Sequence, residues 1–169
     1  MNEFSLTVDK FRLDCNIEVE ISEKLKDKID QSIVHVLAHF EDQRSEIFSF
    51  LGNLTTSLII CDDEYMSSIN SKHRSKDQTT DVLSFPLQES MIKGDFDTHG
   101  DIVALGDIII SHPVCFKQAN ESKLSYSFEF CHLFAHGLLH LIGLDHERSS
   151  EEKKKMFDLE DLLVMNGLE

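Results

Sequence analysis

The stretch His136-Gly-Leu-Leu-His140-Leu-Ile-Gly143-Leu-Asp-His146 carries three imidazoles at spacings that suit a single metal ion. Residues four apart on a helix share a face and lie ~6 Å apart along the axis, at ~1.5 Å rise per residue. Two imidazoles so placed can converge on one ion at Zn–N distances of ~2.0–2.1 Å. The third must come back from outside the helix. Gly143 can take the left-handed conformation that ends it, and His146 follows three residues later. Three protein ligands leave a fourth position for water, the pattern of a catalytic rather than a structural zinc site. The chemistry implied is hydrolysis of a phosphodiester or amide bond by one zinc ion per chain, with nickel, copper and iron left open by the breadth of imidazole chemistry.

His132 lies one turn upstream, but His132, His136 and His140 would string out over ~12 Å along the helix, too far for one small ion. His132 therefore reads as a supporting or packing residue. His112, ahead of Pro113, is the other outside candidate, disfavoured against His146. The zincin peptidases place a glutamate base immediately after the first histidine, in HExxH; that position is Gly137 here, which counts against a peptidase.

The elements that must position these groups follow from periodicity. Ile17–Ile21 alternates apolar and polar, as a strand does. Ser22 suits a cap for a helix with Leu25, Ile29, Ile33, Leu37 and Phe40 on one side. Leu54–Cys61, Asp81–Phe85 and Leu105–Ile110 read as further strands, and Asp63 to about Ser71 as a short helix. From Tyr126 to Ile142 apolar residues wrap all sides, as in a buried helix. A last helix follows the capping box Ser149-Ser150-Glu151-Glu152. The expectation is an α+β fold over residues 1–169 as a single domain, with a mixed sheet of about four strands packed around a buried metal-binding helix and covered by further helices.

At 169 residues with 41% hydrophobic content, 7 Gly and 2 Pro, the chain can bury a core, and it contains no apolar run of the ~20 residues a membrane span needs. No secretory pattern opens it, so a cytoplasmic location is expected, with no membrane partner. Cys15, Cys61, Cys115 and Cys131 form no CxxC pair and read as reduced core thiols. A net charge of −15 argues against broad, non-specific nucleic-acid binding and suggests basic protein partners. The cluster Lys72-His73-Arg74-Ser75-Lys76 stands out as basic within this acidic chain.

The histidine stretch resembles the H-G-x-L-H-L-x-G-Y-D-H signature of the bacterial rRNA maturation factor YbeY family, matched at all but Leu144, where the family has Tyr. Asn70 and Arg74 precede Thr80-Asp81-Val82-Leu83-Ser84-Phe85-Pro86, similar to the family's P-T-D-V-L-S-F-P, with Thr79 in place of the Pro. Leu105-Gly106-Asp107-Ile108-Ile109-Ile110-Ser111 resembles a later family block, and Met156-Phe157 and Glu160 also fit. The matching blocks run from about Ile59 to the end. The resemblance implies a zinc-dependent endoribonuclease specific for single strands, acting in 16S rRNA 3′-end maturation and ribosome quality control. Its partners would be single-stranded RNA and the small ribosomal subunit with its proteins.

On this reading His136, His140 and His146 hold the metal, and Arg74, at the family's arginine position, meets the phosphate through paired hydrogen bonds. Lys72 and Lys76 guide the strand as diffuse charge or are simply solvated. Asp81 and Asp107 read as structural, and Asp145 as a group able to orient an imidazole. No general base is identified: zinc-bound hydroxide or a 2′-OH could attack. The competing readings are a ribosome-associated protein with a mainly structural zinc, and a zinc hydrolase or peptidase without the usual Glu. Loss of the Pro at Thr79 is expected to loosen its loop, and loss of the Tyr at Leu144 removes a hydroxyl.

Overall fold

Phe4, Leu6 and Val8 alternate with polar residues, as do Phe11, Leu13, Cys15 and Ile17. In the computed structural model, which describes residues 2–75 and 78–165, the two runs pair as an antiparallel hairpin, β1 (Asn2–Val8) and β2 (Phe11–Ile17). The strand expected at 17–21 is thus displaced. Ile17 ends β2, one more bond joins the Glu18 N–H to the Ile60 carbonyl, and Val19 and Ile21 pack on the core from irregular chain.

Ser22 then caps α1 (Glu23–Ile47), its hydroxyl accepting from the Leu25 N–H, and the helix buries Ile29, Ile33, Val36, Leu37 and Phe40. β3 (Asn53–Cys61) lies parallel to β2, an arrangement that requires a crossover, and α1 is that crossover. After α2 (Asp63–Arg74) and β4 (Val82–Pro86), β5 (Ile102–Ser111) returns parallel to β3 and antiparallel to β4. Among the described residues five strands form one mixed sheet in the order β1-β2-β3-β5-β4. The fold is α+β; the sheet has one strand beyond the expected four because the N-terminal hairpin supplies two.

Side chains alternate across a sheet, and β5 shows which helix covers which face. Ile108 and Ile110 join the main core with α1, whereas Ile109 joins Cys61, Met66 and Leu83 under α2. α3 (His112–Ser122) follows β5 directly and adds a helix to those expected from periodicity. Ser111 caps it, accepting from the Val114 N–H, with Pro113 in the first turn, where proline needs no N–H partner.

α4 (Tyr126–Leu141) packs against α1, α3, β4, β5 and α5 (Ser150–Val164). Phe130, Cys131, Phe134, Ala135, Leu138, Leu139 and Leu141 are each 0% exposed. Its Phe, His, Cys and Gly are indifferent or poor helix formers, a matter of under ~1 kcal/mol each. Burying one large apolar side chain contributes ~1.5–3 kcal/mol, so packing rather than propensity holds α4. Among the described residues no helix is long and apolar enough to cross a membrane.

Candidate metal centre

The C-terminal end of α4 sets the site. The Leu144 N–H bonds the Leu139 carbonyl and the Gly143 N–H bonds the His140 carbonyl, which together make a Schellman turn. Gly143 sits at φ 105°, and a Cβ there would lie 2.6 Å from Ser90 Oγ. Only glycine fits both the conformation and the space. The reversal swings His146 back over the helix, so its ring centroid lies 5.3 Å from those of both His136 and His140. One ring nitrogen from each of the three lies within 4.8 Å of the others.

The donor set fits a cation. Nδ1 of His136 lies 2.5 Å from Glu160 Oε1, and Nδ1 of His140 lies 2.9 Å from the Leu144 carbonyl oxygen. Both partners accept only, so both Nδ1 atoms carry the proton. In the neutral rings the two Nε2 lone pairs then face each other across 3.0 Å. Only a proton or a metal ion between them relieves that repulsion. Two nitrogens on a tetrahedral zinc at ~2.0–2.1 Å stand ~3.4 Å apart, close to what is seen. The buried Nδ1 of His146 has no hydrogen-bond partner among the described residues. Burial, then the charge of His136, hold His140 below its ordinary 6.5, which favours the neutral form that ligates metals.

A cleft of about 500 Å³ opens over the cluster, lined by Arg74, Asp81, Ser84, Gln88, His132 and the three histidines among others. Arg74 is the last residue of α2 rather than part of a loop, and Ser75, at φ 54°, ends that helix in the left-handed conformation. The chain leading back to β4 is tied down. Buried Asn70 donates from Nδ2 to the Gln78 carbonyl at 2.7 Å. The Thr79 hydroxyl donates to Asp63 Oδ1 at 3.1 Å, a contact at the position where the family has Pro. Lys72 ends up in the last turn of α2, and Lys76 lies outside the described residues.

Asp81 is structural as expected, its Oδ1 accepting from the Val82 N–H and its Oδ2 from Gln118. Asp107 is exposed on β5. His112 takes no part: its Nδ1 meets the Tyr126 hydroxyl at 3.0 Å. Gly137 faces the sheet, where a Cβ would meet Ile108 Cγ2 at 3.0 Å and Ser84 Oγ at 3.3 Å. Leu144 is buried, and its backbone carbonyl, not its side chain, orients His140.

The orienting role expected of Asp145 is a correction. Its carboxylate accepts from the Glu147 N–H and pairs with Arg148, so it serves the turn. The carboxylate on a metal-facing imidazole is Glu160 of α5, 4% exposed. Its signal in the sequence is local: Glu160 shares the inward stripe of Met156, Leu163 and Val164, a position where a charge needs a partner. Burial raises the Glu160 carboxyl, but its contacts with His132 and His136 outweigh that and take it down to about 2. The carboxylates of Glu129 and Glu160 flank His132 and raise it to about 10 against the cost of burial, so it is an imidazolium at neutral pH.

A family model described as Endoribonuclease YbeY matches residues 15–167. The chain is 42% identical over 116 residues to "Endoribonuclease YbeY" of Persephonella marina, across 69% of this chain and 72% of that protein. It is 44% identical over 108 residues to the protein of the same name from Mycoplasmopsis pulmonis, across 64% and 70%. The solution structure of TM1509 from Thermotoga maritima has a similar fold, with a TM-score of 0.52 over 90% of this chain and 88% of that one at 22% identity. The three histidines, the Schellman turn that gathers them and the cleft above them all fall inside the matched region, and the chain belongs to the Endoribonuclease YbeY family.

Proposed function

We propose that the chain is a zinc-dependent endoribonuclease that cuts single-stranded RNA. Its cellular work, on this reading, is maturation of the 16S rRNA 3′ end and ribosome quality control in the cytoplasm, on or near the small subunit. The observation that carries the reading is the convergence of His136, His140 and His146 at the floor of an open cleft, in a chain whose relatives are named endoribonucleases. Residues 1–169 would act as one hydrolase unit. The net charge of −15 suits basic ribosomal proteins as partners, while RNA contact is confined to the cleft.

Zinc held by the three imidazoles would supply a Lewis acid and a water acidified towards a pKa of ~7. Each residue then has a defined task. Glu160 keeps the proton on Nδ1 of His136, and the Leu144 carbonyl does so for His140, so both Nε2 atoms offer lone pairs. Arg74 presents a guanidinium to the phosphodiester, where charge grows as the bond breaks. Asn70 and Thr79 hold the chain segment beyond Arg74.

Two observations weigh against the other readings. Among the described residues no fourth His, Cys, Asp or Glu joins the cluster, which is the open pattern of catalytic rather than structural zinc. The position of the peptidase base is Gly137, which offers no carboxylate, and a side chain there would be crowded by Ile108 and Ser84. The test is cleavage of a defined single-stranded RNA, its duplex and an unstructured polypeptide by zinc-loaded and chelator-treated protein. Zinc-dependent cutting of the single strand alone is expected. Polypeptide cleavage without RNA cleavage, or no hydrolysis with zinc bound, would overturn the proposal.

A further inference from the structure

Four side chains form a line from the floor of a second cavity to the metal cluster. Glu129 Oε1 lies 3.8 Å from His132 Nδ1, His132 Nε2 lies 3.5 Å from Glu160 Oε2, and Glu160 Oε1 lies 2.5 Å from His136 Nδ1. The first two separations are ion-pair contacts and the last is a short hydrogen bond. Glu129 and Glu160 are 7% and 4% exposed, on α4 and α5 respectively. Behind them is a cavity of about 600 Å³ between α3, α4 and α5, and His132 forms the wall between it and the metal cleft.

We infer that Glu160 is a positioning residue for the metal centre, locked in place by His132 and Glu129, so that the affinity of the three histidines for metal depends on α5. The inference rests on the metal reading above and concerns groups that are not themselves metal ligands. A buried carboxylate without partners is expensive, so Glu160 stays where its partners hold it. Its Oε1 fixes the tautomer and rotation of His136, and its negative charge makes that imidazole a stronger donor. His140 is held by a neutral carbonyl instead, so the two ligands on one helix face differ in basicity. His132 turns one ring nitrogen towards each of the two buried carboxylates, Nδ1 to Glu129 and Nε2 to Glu160, so it bridges them rather than facing the three ligands.

The experiment compares the full-length chain with Glu160→Gln, Glu160→Asp, His132→Gln and Met156→Ala. Met156 is fully buried on the same helix and outside the chain of charges, so its variant reports loss of packing alone. The readouts are zinc affinity by chelator competition, the visible spectrum of the cobalt-substituted protein, and thermal unfolding without metal. Glu160→Gln is expected to bind zinc about 10–100-fold more weakly and to shift the cobalt bands. Glu160→Asp, which keeps the charge but withdraws it by one methylene, and His132→Gln should lose less in the same direction. Met156→Ala should unfold earlier yet keep wild-type affinity and spectrum. Wild-type zinc affinity and cobalt bands in Glu160→Gln, or an equal affinity loss in Met156→Ala, would overturn the inference. Failure of the wild type to bind zinc or cobalt would instead overturn the metal reading beneath it.

Discussion

His136 and His140 each use Nδ1 for a fixed acceptor, which leaves two Nε2 lone pairs 3.0 Å apart with His146 as the third wall. Removing either helical ligand should therefore empty the site. His136→Ala and His140→Ala are expected to lose zinc in elemental analysis and to lose the stability that metal binding confers on the folded state; full occupancy in His140→Ala would place the metal elsewhere. Arg74 tests the other half of the site. It reaches the cleft from a different element and touches no ligand, so Arg74→Ala should keep its zinc and its fold. Its turnover on single-stranded RNA should fall by ~10²–10³, the usual effect of deleting one donor to developing charge. Lysine should rescue only part of this, because it lacks the two-pronged donor. Wild-type rates in Arg74→Ala would remove the residue from the mechanism.

The helix that carries the ligands is positioned by what happens at its end and along its back. Gly143→Ala would force a Cβ against Ser90 at φ 105°, and the reversal that presents His146 would have to open. Overpacking and strain of this kind cost ~1–3 kcal/mol. The urea midpoint should drop accordingly, and zinc affinity should fall with it because one ligand moves; a variant with normal zinc affinity would show that the turn does not position His146. Along the back, Gly137 lets α4 lie close to β5. Gly137→Glu recreates the HExxH pattern, yet its Cβ would be crowded by Ile108 Cγ2 at 3.0 Å and Ser84 Oγ at 3.3 Å. It should destabilise the fold by ~1–3 kcal/mol from overpacking alone and confer no peptidase activity. Peptide hydrolysis by that variant would contradict the orientation of α4.

For the molecule as a whole, the four cysteines report on the closure of the core. Burial, the leading cause in each, pushes the thiols of Cys15, Cys61, Cys115 and Cys131 up to about 12. At pH 8 the native protein should leave a thiol reagent almost unreacted, while the denatured chain should titrate all four. Thiol pKa values raised on folding above the ordinary 9.0 mean that this contribution to stability is complete below about pH 9. It is lost as pH rises towards about 12, because the unfolded chain ionises first. The urea midpoint should accordingly decline above pH 9. Rapid labelling of native protein at pH 8 would show that the core opens more readily than its packing indicates.

The parts of the site legible in the sequence are those whose geometry closes within a few residues. Histidines at i and i+4 share a helix face wherever that helix lies, the glycine stop is local, and the caps at Ser22 and Ser149 bond groups three residues away. The all-round apolar pattern of α4 likewise marks it as a central helix from its own residues alone. The N-terminal hairpin is equally local in its alternation, with Phe4, Leu6 and Val8 facing Phe11, Leu13 and Cys15 across a tight turn. Other features depended on groups far apart in the chain. Glu160 meets His136 across 24 residues of sequence, whereas Asp145, only one residue from a ligand, is held by its own turn. Arg74 ends α2 at the cleft, and Asn70 and Asp63 hold Gln78 and Thr79 on the way to β4. Sequence periodicity describes which way a side chain points on its own element; which acceptor it finds there is decided when α5 and the sheet dock on α4, since only packing sets the distance between elements.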